Sequence, residues 1–213
     1  MYLPAHFRED RREVQFELIR SHPLGLLVSA GPGGLMANPV PFVAYPEEGT
    51  GVLRAHVARA NPQWRELAAT AECLVVFQGP QAYISPTLYA TKAETHQVVP
   101  TWNYATVHVW ARPQVVEDAG WLRRQIDDLT QAREGNRPNP WKVADAPADF
   151  ITAQLKAIVG LELAITRLEA KWKMSQNRNA ADRQGVVAGL RAEGGAEQAA
   201  VARLVAERSQ PGA

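Results

Sequence analysis

Alternation of apolar and polar side chains dominates the first half of the chain and predicts a set of strands. Gly31–Gly34 has the composition of a hairpin turn between the first two. Pro39 and Pro41 confine the second strand to a sheet edge or a bulged stretch, and Gln78–Pro80 interrupts the fourth. The predicted strands are Leu24–Ala30, Leu35–Tyr45, Val52–Val57, Glu72–Ser85, one long or two short strands over Val98–Val116, and Ala157–Leu168.

Apolar residues spaced three and four apart predict helices between and after these strands. Asp118 is a candidate cap for one of them, and Gly194–Gly195 separates the last two. Short strands closed by turns, with few helices, predict a mainly β chain with α-helices (α+β), built on a small β-barrel rather than on a doubly wound sheet. The predicted helices are Arg11–Ser21, Trp64–Thr70, Asp118–Arg133, Ala148–Leu155, Asn179–Arg191 and Ala196–Arg208.

Composition narrows the class of protein. Lys+Arg 23 against Asp+Glu 22 gives 213 residues a net charge of +1, so there is no global electrostatic case for nucleic acid. No apolar run approaches the roughly 20 residues that span a bilayer, and the N-terminus lacks the pattern of a signal peptide. Cys73 is the single cysteine, which fits a reducing compartment, and its apolar neighbours indicate a buried side chain. We therefore expect a cytoplasmic protein.

The stretch from Arg54 to Trp64 has the make-up of a strand that turns into a helix start. Asn61 followed by Pro62 is typical of an N-cap and a first helical position. His56 and Arg59 lie just upstream, and a helix N-terminus offers unpaired N–H groups and the positive end of a dipole. This combination suits a phosphate. An ordinary helix start with a solvated arginine is the alternative.

A second candidate closes the last strand, where Lys171–Arg178 carries two lysines, an arginine and three neutral polar side chains. Exposed Lys and Ser are usually solvated surface, but donors and acceptors stand here at a density that capping does not require. We predict a ligand role for this segment. Three further polar clusters, Asn38–Pro41, Tyr83–Lys92 and Val99–Tyr104, lie in or beside predicted strands.

Six motifs then occur in a recognisable order: Met1–Phe7, His22–Gly25, His56–Pro62, Tyr83–Pro86, Val99–Tyr104 and Lys173–Arg178. Together they resemble the PaiB family, which is described as FMN-binding negative transcriptional regulators. The resemblance covers about residues 1–190.

The resemblance implies an FMN-binding split β-barrel of the pyridoxamine-phosphate-oxidase-like kind, with peripheral helices and a C-terminal helical segment. It implies a homodimer with flavin sites at the subunit interface. We expect an FMN-binding domain over residues 1–190 and a helical tail over 191–213. In that superfamily the FMN phosphate lies near a strand-to-helix junction, where this chain has His56, Arg59 and Asn61. The candidate cofactor-binding residues are Asn38, His56, Arg59, Asn61, Ser85, Lys92, Trp102, Asn103, Lys173, Ser175, Gln176, Asn177 and Arg178.

The chain departs from the family pattern in two places. Pro39 stands where the family commonly has a histidine, and Leu88 and Ala90 stand where it commonly has Trp and Pro. These changes concern the flavin environment and any substrate pocket, and they leave the phosphate-side motifs untouched.

Two functions stay open: a flavin-binding repressor of transcription, and a flavin-dependent oxidoreductase acting on a small molecule. An empty or haem-binding barrel is a third hypothesis. No metal site is predicted, and no residue is an obligatory acid or base, since His56, His96 and His108 are each also explained as structural histidines. Direct DNA binding is not supported by the charge pattern, because the Ala196–Arg208 helix offers mostly Ala and Val. Aromatic residues such as Trp102 exceed what one small barrel needs inside, which favours a homodimer.

Overall fold

A computed structural model describes residues 1–209 of the chain. These residues form two compact units, and each is described by itself below. The first unit contains Met1–Gln15, Gln78–Val107 and the chain from Glu169 onward. The second unit contains Phe16–Phe77 and His108–Leu168. Three long strands, Cys73–Ile84, Thr101–Val116 and Ile158–Lys173, have residues in both units.

The sheet is antiparallel and has seven strands within the described residues, in the order β2-β1-β5-β6-β7-β4-β3. β1 and β2 form a hairpin in which Leu24 pairs with Pro41 and Gly31 pairs with Gly34. Side chains alternate between buried and exposed along β1, as expected for a strand with one covered face. The strands are β1 Leu24–Gly31, β2 Gly34–Pro41, β3 Val43–Tyr45, β4 Val52–Ala58, β5 Cys73–Ile84, β6 Thr101–Val116 and β7 Ile158–Lys173.

Seven α-helices lie before, between and after these strands within residues 1–209. The Asp118 carboxylate accepts a hydrogen bond from the Trp121 N–H at 2.7 Å, and Asn179 caps another helix through the Asp182 N–H at 2.8 Å. Three short 3-10 turns lie at Ala5–Phe7, Pro86–Leu88 and Val143–Asp145. The helices are α1 Arg12–Ser21, α2 Gln63–Ala69, α3 Thr91–Thr95, α4 Ala119–Glu134, α5 Ala148–Lys156, α6 Ala180–Glu193 and α7 Ala196–Glu207.

Most predicted elements are confirmed, including the capped helix after Asp118 and the Gly31–Gly34 hairpin turn. The predicted strand Leu35–Tyr45 is wrong as one element: it divides at Phe42 into β2 and β3, which lie at opposite edges of the sheet. Pro39 and Pro41 therefore do sit in an edge strand, where a missing N–H breaks no ladder.

Three other expectations need correction. The predicted interruption of the fourth strand at Gln78–Pro80 is wrong, because β5 runs through these residues. The ladder between β1 and β5 covers Leu74–Val76, so the missing N–H of Pro80 does not interrupt it. The strands are not uniformly short, since β6 and β7 each have 16 residues. β7 ends five residues later than predicted, at Lys173, so the lysines of the polar segment belong to a strand.

Candidate functional site

The second unit contains an open cleft between the edge strand β2 and the end of β4. Its volume is about 520 Å³, and apolar side chains dominate its wall. Three polar side chains interrupt that wall: Asn38 from β2, His56 from β4 and Asn61 from the turn before α2. The remaining lining residues are Pro39, Val40, Pro41, Val57, Ala58 and Ile158. An apolar cleft with a few fixed polar groups is typical of a small-molecule site.

A buried glutamine holds two of these polar residues. Gln63, the first residue of α2, is 0% exposed, and its Oε1 accepts a hydrogen bond from Asn38 Nδ2 at 3.0 Å. The backbone N–H of Gln63 donates to Asn61 Oδ1 at 3.0 Å. The Gln63 amide nitrogen lies 3.0 Å from the Leu27 carbonyl and 3.4 Å from the Met36 carbonyl. Gln63 thus ties the cleft wall to both strands of the β1–β2 hairpin.

A second buried glutamine lies behind His56. Gln125 of α4 is 2% exposed, and its Oε1 is 2.7 Å from His56 Nδ1. The tautomer of the His56 ring sets the direction of this hydrogen bond. Gln125 Nε2 is buried and has no partner within residues 1–209. The His56 ring is therefore oriented by a helix that the sequence did not connect to it.

Arg59 and Asn61 occupy the predicted strand-to-helix junction, but protein groups already engage them. The Arg59 guanidinium forms an ion pair with Glu117 at 2.5 Å and donates to the carbonyls of Lys156 at 3.0 Å and Ile158 at 3.2 Å. Asn61 acts as a cap through the Gln63 N–H. Arg59 is not among the residues that line the cleft. Their contact with a phosphate stays a prediction.

In the first unit, the segment Lys173–Arg178 leaves β7 and leads into α6. Ser175 adopts a left-handed backbone conformation, with φ of 62°. Gln176 holds the turn from both sides: its Nε2 donates to the Trp172 carbonyl at 2.5 Å and its Oε1 accepts from the Met174 N–H at 2.7 Å. Gln176 is therefore a brace for the turn in this structure, while Asn177 is exposed.

Positive charge accumulates around this turn. Lys173 Nζ donates to the Trp102 carbonyl at 2.7 Å and to the Thr101 hydroxyl. Burial lowers the pKa of Lys173, and the nearby charges of Lys171 and Arg178 lower it further. Within residues 1–209 neither Lys173 nor Arg178 has a carboxylate partner at ion-pair distance, and the Arg178 guanidinium lies 4.5 Å from the centre of the Tyr89 ring. This segment therefore carries charge that no carboxylate in the described part of the chain neutralises by direct contact.

Three buried polar atoms near β6 and α6 also lack partners within the described chain: Asn103 Oδ1, the Tyr89 hydroxyl and Arg183 Nε. Asn103 is 0% exposed; its Nδ2 donates to the Ser175 hydroxyl at 2.9 Å, and its Oδ1 is unpaired. The Tyr89 hydroxyl is likewise buried and unpaired, and burial raises the pKa of this phenol. Buried unpaired polar atoms cost free energy, so they indicate places where a bound molecule or water completes the structure.

The remaining predicted residues of the first unit play different parts. Trp102 is 48% exposed, and its indole N–H donates to Gln81 Oε1 at 3.1 Å. Ser85 caps a 3-10 turn by accepting from the Thr87 N–H at 3.2 Å. Lys92 lies in α3 and is half-buried.

Sequence reasoning missed Gln63 and Gln125. Tyr89 belonged to the polar cluster Tyr83–Lys92 but was not among the candidate cofactor-binding residues. Gln63 had one usable signal, since it directly follows the predicted cap and first helical position. Gln125 is one polar residue within an amphipathic helix, and nothing local distinguishes it from a solvated glutamine.

A family model described as "Putative FMN-binding domain" matches residues 1–167. The chain belongs to this FMN-binding family. Its cofactor is FMN, as the motifs predicted, and the resemblance to the PaiB family is confirmed. The donor set of the first unit fits that cofactor, because Lys173 and Arg178, which lack an ion-pair partner among residues 1–209, and the Ser175 hydroxyl are groups that bind a phosphate monoester. FMN is a flat ring system joined to such a phosphate.

Relatives of this FMN-binding family match the chain over nearly its whole length. An uncharacterized protein of Emericella nidulans is 35% identical over 246 residues, which cover 99% of this chain and 98% of that protein. The Bacillus subtilis protein named "Protease synthase and sporulation protein PAI 2" is 29% identical over 208 residues, covering 98% of each.

Solved structures confirm the predicted split-barrel fold class. The FAD and heme binding protein from Mycobacterium smegmatis superposes with a TM-score of 0.61 at 20% identity, over 85% of this chain and 80% of that one. At that identity the likeness shows the fold alone. Among the helices described within residues 1–209, none combines the length and the apolar composition needed to cross a bilayer.

Proposed function

We propose that this chain is an FMN-binding flavoprotein of the PaiB type in which Lys173 and Arg178 hold the FMN phosphate. One observation carries the proposal: these cations accumulate at the end of β7 with no carboxylate at ion-pair distance in the described chain. A phosphate monoester carries up to two negative charges, and charge-assisted hydrogen bonds to Lys and Arg are among the strongest that proteins make.

The neighbouring groups support this assignment. The Ser175 hydroxyl accepts from Asn103 and can itself donate to a phosphate oxygen. Gln176 braces the turn through two backbone contacts, so Ser175 and Arg178 are held by the fold before any ligand arrives. When bound, FMN supplies one- and two-electron redox chemistry, while the protein supplies binding and orientation.

Titration of the flavin-stripped protein with FMN tests the assignment. Arg178→Ala removes a charge-assisted bond worth about 1.5–3 kcal/mol, so we expect roughly ten- to hundred-fold weaker FMN affinity. Arg203→Ala is the matched control, because Arg203 is exposed on α7 and forms an ion pair with the exposed Glu207, 3.7 Å away. Equal FMN affinities of wild type and Arg178→Ala would contradict the assignment of the phosphate to this segment.

We also propose a homodimer, and the β1–β2 hairpin supplies a surface for it. Opposed residues on one face of this hairpin are all apolar, and seven of the eight are exposed. Contiguous exposed apolar patches are uncommon on monomers and mark interaction sites. The residues are Leu24, Leu26, Val28 and Ala30 of β1, opposite Pro41, Pro39, Ala37 and Leu35 of β2.

Light scattering tests the dimer. Wild type should give twice the chain mass of 23.4 kDa at low micromolar concentration. Leu26→Glu should give the monomer mass, because a charge in an apolar interface is desolvated without a partner. Phe150→Glu is the control, since Phe150 is also exposed but belongs to α5. A wild-type monomer with tightly bound FMN would contradict the proposal.

For the cellular role, we propose negative regulation of transcription exercised through FMN, a metabolite or a partner rather than through tight DNA contact. The resemblance to the PaiB family, which is described as negative transcriptional regulators, supports the role, and the Bacillus subtilis relative is named for protease synthesis and sporulation. The balanced charge of the chain supports the indirect route. Gel shifts should show random duplex bound no tighter than micromolar at physiological salt. A nanomolar shift on the protein's own upstream DNA, poorly competed by random duplex, would favour a direct repressor.

The cleft of the second unit favours a second candidate function, a flavin-dependent oxidoreductase acting on a small molecule. Its size and mostly apolar wall suit a flat ligand, and His56 and Asn38 supply polar contacts. Stopped-flow reoxidation of the reduced, FMN-loaded protein by a panel of small acceptors tests this. Saturating acceleration that is weakened by His56→Ala supports an enzyme, and rates equal to those of free FMN count against one.

A further inference from the structure

A second, smaller cavity of the second unit lies against α4. Its volume is about 130 Å³, and all of its lining residues belong to the second unit. At about 30 Å³ for each water molecule, this space holds roughly four waters or one molecule of a few heavy atoms. A flavin or a nucleotide needs a larger pocket. The lining residues are Arg54 of β4 and Trp121, Arg124, Gln125 and Asp128 of α4.

Gln125 brings an unsatisfied hydrogen-bond donor to this cavity. The residue is 2% exposed, and its Oε1 lies 2.7 Å from His56 Nδ1. Its Nε2 is buried and has no hydrogen-bond partner within residues 1–209. Gln125 belongs to the wall of this cavity and not to the wall of the cleft. Because a buried N–H group without an acceptor is costly, an acceptor bound in the cavity would stabilise this side chain.

A cation stands beside this donor. Arg124 is exposed and has no carboxylate at ion-pair distance within residues 1–209. Arg54, in contrast, is already engaged, because its Nε donates to Glu162 at 2.7 Å and its Nη2 donates to Glu48 at 2.7 Å. The groups left for an incoming acceptor are therefore Gln125 Nε2 and the Arg124 guanidinium.

One wall residue opposes a negative ligand. Asp128 carries a carboxylate whose Oδ2 accepts a hydrogen bond from the Tyr45 hydroxyl. An anion in the cavity meets this like charge as well as the charge of Arg124. Removing the carboxylate should therefore strengthen anion binding, whereas removing the guanidinium should weaken it.

We propose that this cavity binds a small planar oxyanion, the class that includes formate and nitrate, through Gln125 Nε2 and Arg124. The oxygens of the anion accept from both donors in a space too small for a flavin. The bound anion holds the amide whose other end contacts His56 of the cleft wall. The site involves neither FMN nor the residues of the first unit, so its test is independent of the phosphate assignment.

The tautomer of His56 tests the orientation of Gln125. If Gln125 Nε2 faces the cavity, Oε1 accepts from His56, and a neutral His56 must carry its proton on Nδ1. Long-range ¹H–¹⁵N NMR correlations at pH 8 identify the protonated ring nitrogen. A proton on His56 Nε2 alone would place the Gln125 oxygen in the cavity and would overturn the proposal.

Titration with the two anions tests binding itself. The full-length protein receives sodium formate or sodium nitrate, with sodium chloride keeping the ionic strength constant. The indole N–H signal of Trp121, which lines the cavity, reports occupancy in every variant. Both anions should shift this signal saturably. Arg124→Ala should weaken binding by about three-fold or more, and Gln125→Leu by about ten-fold.

Two further variants give the result its specificity. Asp128→Asn should bind both anions more tightly than wild type. Arg123→Ala is the matched control for Arg124→Ala, because both lose one positive charge from α4. Arg123 is outside the cavity wall, and its Nε donates to Asp127 at 3.0 Å. It should therefore bind the anions as wild type does.

Weaker binding confined to Arg124→Ala, together with tighter binding by Asp128→Asn, supports the proposal even if Gln125→Leu does not fold. Three results would each overturn it: a shift in wild type that does not saturate, equal weakening in the two arginine variants, or an affinity that Asp128→Asn does not raise. The cavity would then hold only water.

Discussion

Replacing Glu9 with Gln should lower the stability of the first unit at neutral pH and remove a large part of its loss of stability in acid. Glu9 is 2% exposed, and its carboxylate accepts from the Arg11 N–H at 2.9 Å, from Arg11 Nε at 3.0 Å and from Arg11 Nη2 at 2.8 Å. Arg208, the residue after α7, donates to the same carboxylate. This charge therefore connects the N-terminal segment with the end of the last helix.

The magnitude follows from the pKa of Glu9. Burial acts to raise this pKa, but the hydrogen bonds from Arg11 and Arg208 outweigh burial and lower it from 4.5 to about 2. That lowering corresponds to about 3 kcal/mol of folding free energy. Because the folded pKa lies below the unfolded one, the contribution is complete above about pH 4.5 and is lost as the pH falls towards 2.

Urea denaturation of wild type and Glu9→Gln between pH 6 and pH 3 measures the effect. Wild type should lose about 2 kcal/mol more than the variant over this range, since pH 3 lies between the two pKa values. Glu207→Gln is the control, because the Arg203–Glu207 pair is 71% and 56% exposed and such pairs contribute less than about 1 kcal/mol. Parallel pH curves for wild type and Glu9→Gln would refute this reasoning.

Three further predictions concern packing, capping and reactivity. A Cβ at Gly160 would lie 2.4 Å from Trp121 Cζ3, so Gly160→Ala should cost about 1–3 kcal/mol in thermal denaturation, whereas Gly33→Ala, with nothing within 4 Å, should be nearly neutral. Asn61→Ala removes the acceptor of the Gln63 N–H and should cost about 1 kcal/mol, also in thermal denaturation. Burial raises the pKa of Cys73 to about 12. The thiol should therefore resist Ellman's reagent at pH 8 until denaturant is added. Fast reaction of the native protein would contradict the burial of Cys73.

Local signals predicted much of the fold. The Asp118 cap and the Gly31–Gly34 turn each depend on residues within a few positions of one another, and both form as expected. The division of the second strand at Phe42 was not predictable in this way. β3 pairs with β4 at one sheet edge, while β2 pairs with β1 at the other. The alternation of apolar and polar residues does not indicate which strand pairs with which.

The candidate sites show the same difference: residue types were predictable from the sequence, whereas contacts between residues distant in the chain were not. The sequence singled out Asn38, His56 and Asn61, and the structure brings them to one cleft of the second unit. It could not indicate that Gln125 would pair with His56, 69 positions earlier. Nor could it indicate that Glu117 would neutralise Arg59 while Arg178 kept no acidic partner at ion-pair distance within residues 1–209. Charge balance is a property of the folded neighbourhood, so residue type and spacing alone do not show which cations already have an acidic partner.

Comparison of FMN with riboflavin tests the central claim most directly, because the two ligands differ only in the phosphate. The flavin-stripped protein should be titrated with each by calorimetry at the same pH and ionic strength. Two charge-assisted contacts, from Lys173 and Arg178, predict that FMN binds at least about a hundred-fold more tightly than riboflavin. Equal affinities for the two flavins would contradict the account, since the phosphate would then contribute nothing to binding.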